Sequence, residues 1–242
     1  MIDYNTALGL LLLIGVVLAT SMVSFFVSVS KKNLKLLLSF SAAFLLSVAF
    51  TVILPEVYEQ HDSVRLYAFI ILCGFFLQII LEFFSQGVEH GHIHVHQHKN
   101  KFSYLIPLSL SLYVHSFLEG LPLHGTNPLS NPIFWGIILH NIPVSFAFGT
   151  LLKGLLIKTW HSFVIIFVFS LATPLGWWAG GAIANLTLIS NFEPIALSLS
   201  VGIFIHISTT IIFETGENHK YNFQKIFSIL LGFGLGLLLS GH

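Results

Sequence analysis

The sequence predicts an all-α polytopic membrane protein: a bundle of eight transmembrane helices with both termini extracytoplasmic. Three observations carry this. The chain of 242 residues is 55% hydrophobic and 8% charged, with a mean hydropathy of +0.88. A soluble domain holds about 25% charged residues, so this chain cannot clothe a water-facing surface. Eight apolar runs each come close to the roughly 20 residues that cross a bilayer core. Finally, nine of the ten basic residues fall in alternate connections, in "KKNLK", "KNK", Lys153, Lys158, Lys220 and Lys225, and only Arg65 lies on the other side. The positive-inside rule makes the lysine side cytoplasmic, and an even number of spans then puts both termini outside.

In chain order the runs are 6–28, 34–57, 66–87, 102–123, 132–156, 160–186, 194–214 and 222–240. They are expected to form a single transmembrane domain over 1–242. The first run lacks the basic flank of a signal peptide and is read as a retained helix. The second ends in "ILPEVYE", and the third contains Cys73, the only cysteine, which excludes a disulfide framework or a CxxC metal site. The near-zero net charge argues against a nucleic-acid partner. Between the third and fourth runs, 88–101 is read as a His-rich cytoplasmic loop. The last run contains "GFGLG", whose glycines permit close helix approach, inside the bundle or in a homodimer.

Ionisable groups inside the apolar runs mark function, because an intramembrane charge is costly. Glu119 lies well inside the fourth run, and His115 precedes it by four residues. At helical pitch both sit on one face, about 5–6 Å apart at Cβ, so one cation can bridge imidazole and carboxylate. Pro122 follows and is expected to bend the helix. The fifth run has His140 and Asn141 near its middle, followed by Pro143. Discontinuous helices with polar groups near the midplane are where transporters place ion sites. Nitrogen and oxygen donors of this kind suit Zn²⁺ and its first-row neighbours. His206, in the seventh run with Thr209 and Thr210 one turn on, is a further candidate ligand, or else a histidine hydrogen-bonded between helices. In the 3–4 loop, His90, His92, His94, His96 and His98 alternate in a pattern suited to reversible metal capture. The alternative there is a solvated or pH-responsive linker. His124, beyond Pro122, is a candidate ligand at the outer mouth.

These residues resemble the ZIP (Zrt/Irt-like) metal transporters. Members have eight spans, both termini outside, a His-rich cytoplasmic loop between spans 3 and 4, and motifs close to HNxPEG and HxxPEG in spans 4 and 5. Here "HSFLEG" resembles the first and "HNIPVS" the second, while "ILPEVYE" and "TPLG" at 173–176 resemble the family's LLPEA and EPLG. The resemblance implies a metal site, often binuclear, built by spans 4 and 5. His115, Glu119 and His140 match its metal-binding positions, and Asn141 stands at one that varies. Ser116, Leu118, Val144, Ser145 and Thr173 replace the asparagine, proline, glutamate, glycine and glutamate of the family pattern. One metal site is therefore expected, with His206 compensating as an added ligand.

The reading that follows is transport of Zn²⁺, or a related first-row divalent cation, into the cytoplasm. The cation is substrate, the lipid bilayer is the partner, no residue is catalytic, and the expected location is a bacterial inner membrane. Two readings from other classes stand beside it. One is an intramembrane zinc hydrolase, against which the chain has no HExxH. The other is a transport-dead metal sensor, which the missing glutamates favour.

Overall fold

The computed structural model describes residues 3–59, 63–91, 101–186, 191–214 and 223–241. Among them are eight long helices: α1 (Tyr4–Phe26), α2 (Lys31–Glu59), α3 (Val64–Ser85), α4 (Lys101–Gly120), α5 (Pro132–Gly154), α6 (Thr159–Ala184), α7 (Phe192–Glu214) and α8 (Phe223–Ser240). No strand occurs among the described residues. Seven of the helices are long and apolar enough to cross a membrane. The eighth, α4, is long enough at 20 residues, but serines together with His115 and Glu119 lower its hydropathy. Those groups are turned inward: Ser109, Ser111, His115, Ser116 and Glu119 are all buried, while Ile106 and Leu110 are exposed. The chain thus buries these polar groups beside an apolar core that includes Phe44, Phe134 and Phe148, and still exposes many large apolar side chains, unlike a soluble bundle. Phe69, Phe76 and Phe83 on α3 and Leu230, Leu237 and Leu238 on α8 belong to that outer apolar face, as a hydrocarbon solvent requires.

Helices α5 and α7 are buried along most of their length, whereas α1, α3 and α8 line the outside. The main pairings are α1 with α5, α2 with α8, α3 with α7 and α4 with α6. In two of them a glycine on each helix meets the backbone of the other, an approach a Cβ would block. A Cβ on Gly74 would run into the Leu199 carbonyl, and one on Gly202 into the Ile71 carbonyl, so α3 and α7 touch. On α4 and α6, Gly120 faces the Thr173 carbonyl and Gly176 faces the Phe117 carbonyl in the same way. Small residues at such crossings supply the packing that drives helix association in lipid. The glycines of the last span divide likewise: Gly232 and Gly236 pack on α2 within the chain, and Gly234 faces open space.

The prolines act differently from one another. Pro122 ends the α-helical part of span 4 at Gly120, and the chain continues as a 3₁₀ turn, Leu121–Leu123. Pro143 lies inside α5, which runs unbroken from Pro132 to Gly154. The expected discontinuity of span 5 is absent; the proline only frees the Leu139 carbonyl one turn earlier. In α2 a π turn, Ala49–Ile53, precedes Pro55, and its wider loop takes up the clash between the proline ring and the carbonyl four residues back.

Two of the lysines counted in the charge bias close helix ends. Lys153 Nζ donates to the Phe25 carbonyl at the end of α1 (2.8 Å), and Lys225 Nζ to the Ile212 carbonyl near the end of α7 (2.6 Å). Each puts an ammonium at the negative end of a helix dipole. At the other end, Asp3 caps α1 by accepting from the Thr6 amide at 3.1 Å. Its hydrogen bonding to Thr6 holds the carboxyl below its ordinary range.

Candidate metal site

Three of the predicted ligands converge. One ligand atom from each of His115, Glu119 and His140 can be chosen so that all lie within 4.8 Å of one another, and all three side chains are buried. Their arrangement follows from local structure. His115 and Glu119 are four residues apart on α4, so their side chains stack on one face. The crossing at Gly120 and Gly176 fixes the rotation of that face. His140 comes from the middle of α5, and its ring lies 6.0 Å from that of His115, nearly perpendicular to it.

A hydrogen bond sets the chemistry of His115. Its Nδ1 lies 3.0 Å from Gln78 Oε1 on α3. A carbonyl oxygen only accepts, so Nδ1 carries a proton, and in the neutral ring Nε2 then carries the lone pair. That lone pair faces Glu119 Oε1 at 3.3 Å, outside hydrogen-bond geometry. Two electron-rich atoms at this distance repel unless a proton or a cation lies between them. Two ligands bonded at 2.0–2.1 Å to a tetrahedral Zn²⁺ stand about 3.3 Å apart, which matches this pair. The full spread of the three ligand atoms, up to 4.8 Å, is wider. Both Glu119 oxygens and both His140 nitrogens have no hydrogen-bond partner among the described residues. Buried polar atoms are nearly always paired, so this is a set of donors presented to something other than protein.

Gln78 is itself held. Its Nε2 donates to Glu89 Oε1 at 3.4 Å, and both Gln78 and Glu89 are buried. A chain of contacts therefore runs from Glu119 through His115 and Gln78 to Glu89. Neither Gln78 nor Glu89 stood out in the sequence, where Gln78 is an uncharged residue in mid-run and Glu89 lies just past the run's end. The available signal was "SQGVEHG". Gln86 and Gly87 both adopt left-handed backbone, with φ of 54° and 71°, and so reverse the chain after α3. The following 3₁₀ turn, Val88–His90, is buried, all three residues included.

That reversal revises the His-rich loop expected over 88–101 at its start alone: Val88, Glu89 and His90 pack inside. His90 is inside the bundle with its Nδ1 3.3 Å from Glu82 Oε1. The other four, His92, His94, His96 and His98, lie outside the described residues. His206 does not join the α4–α5 group either. Its Nε2 lies 3.5 Å from Glu82 Oε2, and its ring packs edge-on against Phe75 at 4.9 Å. The α3–α7 crossing at Gly74 and Gly202 holds it there. Thr209 is occupied by its own helix, donating to the Ile205 carbonyl at 2.7 Å.

The remaining predicted residues fall as follows. Asn141 is buried beside His140 with no acceptor for its amide nitrogen among the described residues. Ser145 donates to the Asn141 backbone carbonyl at 2.5 Å and pairs with the Thr20 hydroxyl of α1. Val144, one turn after His140 on the same face, is part of the apolar core. Ser116 and Thr173 are buried. His124 is half-buried near Phe192 and lines a cavity of about 350 Å³ with Trp177, Trp178 and Asn185, apart from the three-ligand group.

The comparisons with known proteins agree with this chemistry. No curated protein matches the chain. The family model described as ZIP zinc transporter matches residues 102–240, from the start of α4 to the end of α8, which is more than half of the chain and includes all three clustered ligands. The chain belongs to the ZIP zinc transporter family, whose members carry divalent metal ions across membranes.

Proposed function

We propose that the protein carries Zn²⁺, or a first-row cation of similar chemistry, into the cytoplasm, and that His115, Glu119 and His140 bind it on the way. The observation that carries this reading is the buried cluster of His115, Glu119 and His140, with His115 Nε2 turned toward the Glu119 carboxylate by the bond from Nδ1 to Gln78. Such a pair favours a divalent cation of tetrahedral preference over Ca²⁺ or Mg²⁺, which require more oxygen ligands. Asn141 adds an oxygen at the edge of the site. In this mechanism the ion sheds water near His124, enters the three-ligand group, and leaves toward the lysine-rich side, where the loop histidines accept it. A rocking of α4 and its partner α6 against α5 exposes the site to each side in turn.

The inward direction and the outside position of both termini rest on the charge bias of the connections. The membrane-spanning architecture and family place the protein in a membrane; the bacterial inner membrane is the setting we propose. The hydrolase reading draws no support from a family of transporters, and the sensor reading differs from ours only in flux.

Zn²⁺ uptake into proteoliposomes tests the proposal. The wild type is expected to accumulate Zn²⁺ down its gradient, and Glu119→Gln to abolish this while eluting as a folded protein. Absence of flux in the wild type would overturn the transport reading, and undiminished flux in Glu119→Gln would overturn the assignment of the site.

A further inference from the structure

We propose that Glu82, His90 and His206 form a second binding site for a first-row divalent cation, about one helical turn beyond the α4–α5 site. Three separate elements supply it: α3, the buried 3₁₀ turn after α3, and α7. The Glu82 carboxylate presents one oxygen to each ring, at 3.3 Å to His90 Nδ1 and 3.5 Å to His206 Nε2. The two rings are 6.4 Å apart. The two nitrogen–oxygen spacings approximate those of ligands around one tetrahedral ion, about 3.3 Å, with the carboxylate lying between the two rings.

The location follows from α3. Gln78, which holds His115, and Glu82 are four residues apart on that helix, hence on one face and about 6 Å apart along the axis. Both histidines are buried, at 1% and 7% exposure, whereas the Glu82 side chain keeps 24%. Glu82 also lines an open cavity of about 380 Å³ with Ile79, Phe83, Gln86 and Gly87. An ion at this site would thus have two buried nitrogen ligands and a carboxylate that is part-exposed near the end of α3. The first site has the same donor set, two imidazoles and one carboxylate, fully enclosed.

Resting on the transport reading, the pair makes a two-step path. Matching ligand sets a turn apart let the ion pass without falling into a trap, and the wetter second site releases it. This gives His90 and His206 metal roles different from those the sequence suggested. His90 is the first of the loop histidines to meet the ion, and His206 serves the second site instead of the first.

Equilibrium dialysis with Zn²⁺ on full-length purified protein, read by elemental analysis, tests the proposal. Its background carries His92, His94, His96 and His98 replaced by asparagine, so that the loop adds no ions. Two Zn²⁺ per chain are expected for this parent, one for Glu82→Gln, one for His206→Ala, and one for Glu119→Gln. Co²⁺ absorption should show one of two ligand-field spectra lost in each case. If Glu82→Gln and His206→Ala, folded by elution and thermal unfolding, bind as many ions as the parent, the second site is overturned. If instead Glu119→Gln alone changes nothing, the α4–α5 assignment fails and the second site stands. A parent that binds one ion, lost in Glu119→Gln, also overturns the proposal. His206→Gln replaces His206→Ala where the smaller residue does not yield folded protein.

Discussion

Replacing Gln78 with leucine should weaken binding at the α4–α5 site without touching a ligand. Leucine keeps the volume of the side chain on α3 but removes the acceptor for His115 Nδ1–H, a buried bond of 3.0 Å. An unpaired buried donor costs about 1–3 kcal/mol. The imidazole can escape that cost by moving its proton to Nε2, the atom meant for the ion. Partners that orient metal-bound histidines typically contribute 10–100-fold in affinity, or about 1.4–2.7 kcal/mol, and the two ranges agree. Gln78→Glu is the control: it still accepts from Nδ1–H, so affinity is retained, but it faces the buried Glu89 and lowers stability. The assay is Zn²⁺ competition against a chelating dye, with Glu82 and the 92–98 histidines already substituted so that a single site is read. A folded Gln78→Leu protein with an affinity within about twofold of its parent would refute the argument that this amide sets the tautomer.

Further outcomes follow from the same contacts. Gly176→Ala should destabilise the fold by about 1–3 kcal/mol, seen as a lower unfolding midpoint, because its Cβ would meet the Phe117 carbonyl at the α4–α6 crossing. Lys225→Met removes the ammonium from the Ile212 carbonyl and should lower stability by about 0.3–1 kcal/mol, with Zn²⁺ affinity unchanged. Ser145→Ala breaks the link from α5 to Thr20 of α1 and should cost about 1 kcal/mol in thermal unfolding. His124→Ala should leave equilibrium Zn²⁺ binding intact and slow uptake only at low Zn²⁺, since His124 lies outside the three-ligand group. A loss of equilibrium affinity in that variant would contradict its place at the mouth.

The fold was legible because its signals are local. Runs such as "IFWGIILHNIPVSFAFGTLL" identify spans by length and apolarity alone, and lysine placement orders them. The central cluster of side chains was legible too, because His115 and Glu119 share a helix face by spacing and His140 is an ionisable group in an apolar run. What escaped was everything carried by the chain's reversal after α3. Glu89 and His90 sit in a polar stretch and read as solvated. Only the left-handed Gln86 and Gly87, together with tertiary packing, turn them inward. Glu82 escaped because a polar residue near a span end is indistinguishable from one facing headgroups, and Gln78 because an uncharged amide in mid-span is a weaker signal than a charge. The placement of His206 depends on the rotation of α7 against α3, which Gly74 and Gly202 set by contact. The carboxylates absent at Val144 and Thr173 left the first site with a net charge of +1 when a divalent ion binds. Glu89, joined through Gln78, brings a second carboxylate to the same buried network from a direction that span motifs do not encode.

The π turn in α2 has a bearing on how this sequence tolerates change. A π turn is an α-helix that has accepted one surplus residue, so everything after it is rotated by about 100° relative to an uninterrupted helix. The orientation of Leu54–Glu59, with Val57 inward, is therefore stored in the count of residues between 49 and 53 more than in their identities. Substitutions there that preserve the count leave the end of the span where it is. Losing a single codon would let the turn relax to α, swing Val57 toward lipid and carry Pro55 and Glu56 to a different side of the bundle. The segment is thus sensitive to frame-preserving deletions and indifferent to many replacements, an asymmetry that a deletion scan across α2 would reveal as a sharp dip at this turn.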